Sequence, residues 1–307
     1  MRVFSLFMVW AVFFSAPKCA LSQTLFTESS KTGLPFLRIV PAARTSGMGS
    51  AGVSAPSGAS SFWLNPALLA LIDTRSAQFS HTELIEGIRQ EFAAVSAKTG
   101  LGHLCAAVQL YDSGDIDAYG KIASPAGIYS IKYAAFSLSW AGRVGDNLAL
   151  GVTYKKLLEK VAQEDAGGYA VDFGMTCGTP VNGLSLAAAM RNLGRMGILK
   201  NERTKLPTDG IVGFLYRGEI PRFQRTFAAV CDYVVPRYGK KGVRLGIEID
   251  PVDRFHLRAG YRADSDTEDM SFGVGLEAGM FAADVSYTPM VEFKDNALRF
   301  TLSLAGF

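Results

Sequence analysis

The sequence predicts an all-β protein, a transmembrane antiparallel β-barrel of about fourteen strands with a small N-terminal hatch segment. Three observations carry that reading. From Ser76 to the last residue, apolar and polar residues alternate with a period of two, the signature of strands with one oily and one wet face. The alternating segments are near ten residues long, which suits a tilted strand crossing a bilayer, and Trp140, Tyr154, Tyr169, Tyr261 and Tyr287 recur at strand ends on the apolar face as interfacial aromatics do. The connections alternate short and long, the pattern of the two rims of an outer-membrane barrel. A water-soluble sandwich shares the alternation alone.

The N-terminus is read first as an export signal. Met1-Arg2 precedes an apolar run, Val3 to Ala16, and Ala20-Leu21-Ser22 offers the small residues of a cleavage site after Ser22. Residues 1–22 are thus a signal peptide. As a membrane anchor the run is too short, and Pro17 and Lys18 break it. A lipid-modified Cys19 is the alternative, and Lys18 argues against it. No later stretch reads as a membrane helix, so an exported chain of this kind is either soluble or a barrel. Hydrophobic residues make up 49% of the chain, charged residues 19%, and the net charge is +3. That balance leaves no basic surface for nucleic acid.

Residues 23–75 form the expected hatch or plug, and they lack any period of two. Leu34 to Pro41 is bracketed by prolines, and Ala42 to Val53 is a run of small residues with Gly47, Gly49 and Gly52. No strand leads into these glycines, so they do not read as a nucleotide-binding fingerprint. Small residues at this density let backbone pack closely against a wall. Asn65-Pro66 then fixes a bend, because proline locks its own φ and restricts the residue before it. Pro66 suits the first position of a short helix, Ala67 to Ile72.

Residues 76–307 are the expected barrel. Leu104, Ala106, Val108 and Leu110 alternate with His103, Cys105, Ala107 and Gln109; Val243, Leu245, Ile247 and Ile249 alternate with Arg244, Gly246 and Glu248. Short connections are expected near 98–102, 142–147, 178–183, 250–254 and 279–280. Longer ones are expected near 112–132, 159–168, 191–209, 263–270 and 289–296. Residues 216–222 read as a longer exception on the short rim, and 115–122 as loop, with an extra short strand as the alternative. The chain ends on Phe307, similar to the terminal aromatic of outer-membrane proteins, with its phase restored by a bulge at Gly306.

Catalytic chemistry is not expected. His81, His103 and His256 have no suggestive neighbours, no nucleophile elbow or zinc-binding helix appears, and no cofactor is implied. Once Cys19 leaves with the signal, Cys105, Cys177 and Cys231 remain, an odd number without metal spacing. The inward Asp172, Arg244, Glu248, Arg258, Arg262 and Glu277 read as a solvated or hatch-facing lumen. For a hydrophobic solute ending in a carboxylate, Arg38 and Arg44 are the candidate partners.

Two blocks resemble a known family. Phe36-Leu37-Arg38, Ala42 to Val53 and Leu64-Asn65-Pro66-Ala67-Leu68-Leu69 look like the N-terminal block of the PorV/PorQ-like barrels, relatives of the FadL long-chain fatty-acid transporters. Leu257 to Arg262, Phe272 to Leu276 and Ala283 to Tyr287 resemble the last hairpins of that family. The resemblance implies that Asn65, Pro66 and Ala67 belong to a hatch inside the barrel. It implies a bacterial outer-membrane location, a long-chain fatty acid or other hydrophobic small molecule and the lipid bilayer as partners, and a sideways exit into the membrane. The barrel assembly machinery is the expected partner of the strand ending at Phe307. A PorV-like docking role for secreted proteins is the alternative, and a general diffusion porin is a third reading that the hatch opposes.

Overall fold

In the computed structural model, residues 32–119, 125–222, 225–265, 268–290 and 295–307 are described. The expected signal peptide, and residues 23–31 of the expected hatch, lie outside them. Fourteen antiparallel strands close into one barrel. They are β1 (Ser76–Glu83), β2 (Arg89–Thr99), β3 (Gly102–Asp112), β4 (Ile131–Val144), β5 (Leu148–Val161), β6 (Glu164–Gly178) and β7 (Leu184–Met196). The second half comprises β8 (Asp209–Ile220), β9 (Arg225–Pro236), β10 (Gly242–Val252), β11 (Phe255–Arg262), β12 (Met270–Ala278), β13 (Phe281–Thr288) and β14 (Ala297–Ala305). Each strand pairs with its chain neighbours, and β14 closes on β1 with Ser76 opposite Ala305. Closure leaves no edge strand, so every backbone ladder is satisfied within the wall.

The two faces differ as the alternation requires. Outward side chains include Phe79, Leu138, Phe173, Leu276 and Leu302, all exposed, with Leu138 at 66% and Leu302 at 62%. The alternate positions carry Gln78, Ser80, Thr153, Asp172, Asp232, Arg258 and Thr301, all buried. A continuous exposed apolar belt of this kind is foreign to a soluble monomer and matches a hydrocarbon surrounding. Tyr233, Tyr261 and Tyr287 lie near the long-loop ends of their strands, and Trp140 and Tyr216 near the short-turn ends. Tyr154 departs from the girdle expectation, because it sits midway along β5.

Three connections differ from expectation. Residues 159–168 are not a loop: β5 and β6 meet across a two-residue turn at Ala162 and Gln163, with Val161 opposite Glu164. Residues 216–220 are likewise the end of β8, paired with 225–229 of β9. In both places the strands rise above the apolar belt, where polar residues suit both faces and the period of two fades. Residues 116–119 form a strand with 125–129, a hairpin outside the barrel sheet that is too short to show a period. The chain end follows a different course from a bulge: β14 stops at Ala305, Gly306 takes φ +78°, and Phe307 is exposed.

Candidate functional site

The lumen is occupied by the chain's own residues 33–75. The Gly33 amide donates to the Lys205 carbonyl in the connection between β7 and β8, at the long-loop rim. At the other end the Arg75 carbonyl accepts from Gly306, where β1 begins on the short-turn rim. Between these points the segment is held by inward side chains. α1 (Ala43–Gly47) starts with the Ala43 amide donating to Thr301 Oγ1 at 2.9 Å, and the Gly49 amide donates to Ser271 Oγ at 2.8 Å. The Asp232 carboxylate accepts from the Gly52 and Val53 amides at 2.7 and 2.9 Å. Irregular backbone at this depth is tolerated only when its polar groups find such partners.

Glycines of the wall decide how close the segment comes. A Cβ placed on Gly260 would lie 1.8 Å from the Gly49 nitrogen, and one on Gly246 would lie 2.6 Å from the Met48 Cβ and carbonyl oxygen. A Cβ on Gly174 would meet Asn65 Oδ1 at 1.9 Å, and one on Gly151 the Pro66 carbonyl carbon at 2.4 Å. The small residues of 42–53 therefore have counterparts on the facing strands, and backbone lies against backbone.

Asn65 is fully buried and has three roles. Its backbone is extended and caps a short 3-10 helix, Pro66–Leu71, with the side-chain oxygen accepting from the Ala67 amide at 3.0 Å. Its Nδ2 donates to the Val53 carbonyl at 2.8 Å and to the Met175 carbonyl of β6 at 3.1 Å. Pro66 and Ala67, both buried, continue into that helix, whose single turns match the short helix expected after the Asn-Pro bend. Trp63, next to it, donates to Gln109 Oε1 at 3.2 Å, and the Arg191 guanidinium lies 4.6 Å over its ring.

The inward charges are paired rather than solvated. Arg44 grips Glu248 with two bonds of 2.7 and 2.8 Å and also donates to the Pro56 carbonyl. Glu248 is shared with Arg258 at 2.5 Å, and Arg258 reaches Asp284 at 2.6 Å. Arg191 pairs bidentately with Asp209, and Lys155 lies 2.6 Å from Asp172, each group almost wholly buried. Arg299 donates to the Val40 carbonyl and to Ser46 Oγ. Two of the inward residues expected from sequence have other partners: Arg262 pairs with Asp264 and Glu268 near the long-loop rim, and Glu277 meets His256. The Asp264 carboxyl, outside the strands, is opposed by burial, but Arg244 and Arg262 hold it below the usual carboxylate range.

Sequence reasoning picked out Asn65, Pro66 and Ala67, which sit together against β5 and β6. It also named Arg38 and Arg44, which the structure places apart from that trio. Arg38 donates to the Tyr238 carbonyl at the long-loop rim, while Arg44 lies deeper on Glu248. The sequence does not single out Asp232, Arg191, Lys155 or Arg299 as groups that hold the segment. Their signal was a charge on the inward parity of a strand, such as Asp232 between Val230 and Val234.

The cavity enclosed by Val40, Thr45, Gly52, Trp63 and Leu64 is about 10 Å³, at the lower edge of room for one water. Removing the Asp232 carboxylate by Asp232→Ala leaves two buried amides without an acceptor. A loss of about 1–3 kcal/mol is expected, read as a lower thermal midpoint; Asp232→Asn keeps an acceptor and should lose less.

A closed fourteen-strand barrel, apolar outside and filled from within by its own N-terminal segment, is the class that fold and site define. Solved structures share the barrel fold. The Ralstonia pickettii toluene transporter TbuX superposes with a TM-score of 0.60 at 11% identity, covering 86% of this chain and 97% of that one. The CymD monoaromatic hydrocarbon channel gives 0.63 at 12% identity over 86% and 96%. A Pseudomonas aeruginosa FadL homologue gives 0.56 at 12% identity over 87% and 98%. The chain thus shares the fold of these transporter and channel barrels. No protein-family description and no curated protein matches the sequence.

Proposed function

We propose that the protein is an outer-membrane channel for hydrophobic solutes, long-chain fatty acids foremost, with residues 23–75 as its hatch. One observation carries the reading: at Asn65-Pro66 the segment is separated from an apolar outer furrow only by glycines of the wall. Asn65 and Pro66 lie on Gly151 and Gly174, and the outer face of the same strands bears an apolar furrow of about 550 Å³ bordered by Leu150, Phe173, Met175, Met190 and Val212. Displacing Asn65-Pro66 would join the lumen to that furrow, giving an apolar solute a sideways exit to lipid. Burial of an acyl chain supplies roughly 0.8 kcal/mol per methylene as driving force.

Arg38 is the better-placed carboxylate partner at the entrance. Among the described residues its one hydrogen bond is to a carbonyl, and burial pulls its guanidinium below the usual value, so an incoming carboxylate would compensate it. Arg44 already holds the Glu248 carboxylate. Oleate titration of purified protein, followed by tryptophan quenching or calorimetry, should give saturable binding. Arg38→Gln should weaken oleate about tenfold or more and leave toluene, an uncharged probe, unchanged. An absence of saturable binding for either ligand contradicts the reading. The exported location, a signal peptide cleaved after Ser22 and delivery to the assembly machinery through β14 and Phe307 belong to the same proposal.

The close seating of the segment against the glycines of the wall favours a second reading, a PorV-like docking barrel. A photo-cross-linker at Lys200, in the connection after β7, would then trap a secreted protein in cells, whereas a channel predicts no such adduct.

A further inference from the structure

Outward charge is unevenly distributed around the barrel. Over residues 210–218, 227–235, 243–249, 255–261, 270–276, 281–287 and 298–304, the outward positions carry no charged side chain. On β2 to β6 the register stacks the outward residues into rows that do carry charge. Nearest the long-loop rim, Arg89, Asp112, Lys132, Lys160 and Asp165 lie side by side. Two rows lower, Lys156 stands exposed between Phe136 and Tyr169, in line with Ala93 and Val108.

The outer face is hollowed across β1 to β5 and β12 to β14. A furrow of about 1010 Å³ is floored by small residues, Ala77, Ala93, Ala106 and Ala283, between the larger Phe79, Leu138 and Leu302. Lys156 is the one charged residue among its lining. Directly above it, toward the long-loop rim, a second hollow of about 600 Å³ is bordered by Leu110, Ala134 and Leu158 and by charges of both signs, Lys132 and Lys160 beside Asp112 and Asp165. Lys132 reaches Asp112 at 3.2 Å. Among the described residues Lys156 and Lys160 have no ion pair or side-chain hydrogen bond.

A lysine facing hydrocarbon is unfavourable unless its ammonium reaches an anion or the headgroup layer. At a tilt of about 45°, a hydrocarbon belt takes about 11 residues of strand. Counted from Leu148, that belt ends near Leu158, placing Lys156 just beneath the headgroup layer and Lys160 within it. An apolar trough whose single charge is an unpaired lysine at that height, with a second unpaired lysine two rows above, has the shape and charge of one occupant class.

We propose that this furrow binds an anionic, phosphate-headed lipid of the leaflet on the long-loop side. Its acyl chains lie over the alanine floor, and its phosphate is held by Lys156 and Lys160, with Lys132 beside them. The inference rests on the membrane placement proposed above but not on solute transport. No bond to the lipid forms or breaks beyond ion pairing and burial.

The test uses the full chain in nanodiscs of phosphatidylcholine with a minor share of phosphatidylglycerol, ejected into a native mass spectrometer. Wild-type protein should retain phosphatidylglycerol over phosphatidylcholine by about tenfold, and the double variant Lys156→Gln, Lys160→Gln should lose that preference. Ala93→Phe, which fills the trough, should reduce retention of both lipids. Oleate binding should stay at the wild-type level in the lysine variant. Equal retention of the two lipids by wild type, or a preference that survives the lysine changes, overturns the proposal. So does a dimer in the nanodisc that buries Leu138 against a second copy. A chain that never enters the nanodisc overturns the membrane reading and this one together, whereas insertion without lipid preference overturns this one alone.

Discussion

Gly260→Val is expected to drive residues 42–53 off the barrel wall. The new Cβ would lie 1.8 Å from the Gly49 nitrogen and 2.2 Å from the Met48 carbonyl carbon, and both are backbone atoms that move only if the segment moves. Neither rotamer change nor side-chain bending relieves the collision. Overpacking of this kind costs about 3 kcal/mol, and here the weaker partner is the segment, because the wall is locked by ladders on both sides of β11. The barrel should persist while the segment loosens, giving a lower thermal midpoint, trypsin cleavage after Arg44 and larger ion conductance in planar bilayers. Gly210→Ala is the control, since its Cβ would meet only the Val235 carbonyl oxygen at 4.0 Å. A Gly260→Val protein that melts with wild type and resists trypsin at Arg44 would contradict the seating.

Glu248→Gln should release the same segment by charge rather than by bulk. Glu248 joins Arg44, on the segment, to Arg258, on the wall, and Arg258 also holds Asp284. The neutral amide leaves two guanidinium groups sharing one carboxylate in a nearly dry interior. Breaking a buried pair by removing one partner costs about 3–5 kcal/mol, whereas exchanging both partners for apolar residues is often neutral. The double variant Arg44→Met, Glu248→Leu should therefore recover much of the lost stability. Denaturant or thermal melts of the three proteins measure this, with trypsin access at Arg44 as the local readout. Equal losses in the single and double variants would show that the pair does not anchor the segment.

The barrel was legible because a membrane-type wall imposes a period of two on each strand, and the turns between strands interrupt it visibly. Val243 to Ile249 or Phe272 to Leu276 needs no tertiary information to be assigned a face. The pattern failed where the strands leave the apolar belt. Glu159, Lys160, Glu164 and Asp165 look like loop because both faces there are polar, yet they are paired residues of β5 and β6. Tyr154 misled in the other direction, since an aromatic on the right face says nothing about height.

The interior was legible only in its local half. Asn65 and Pro66 declare their bend and helix start within three residues, and the glycine run declares close packing. The surfaces they pack against could not be read. Gly151 and Gly174 face Asn65-Pro66 from 85 or more positions along the chain, and Arg44 finds Glu248 across 204 residues. Alternation shows that a glycine or an acid points inward, but only register and closure show what it meets. The outer charge rows of β2 to β6 share this property: Lys132 beside Lys160 is a fact of register, not of sequence spacing.

Uptake of labelled oleate into liposomes carrying the full-length protein tests the central claim most directly. A barrel filled by its own segment and built to pass apolar molecules predicts saturable influx above that of empty liposomes, with almost no ion conductance in the same preparation. Influx no greater than that of empty liposomes, or a large steady conductance indifferent to oleate, would contradict it.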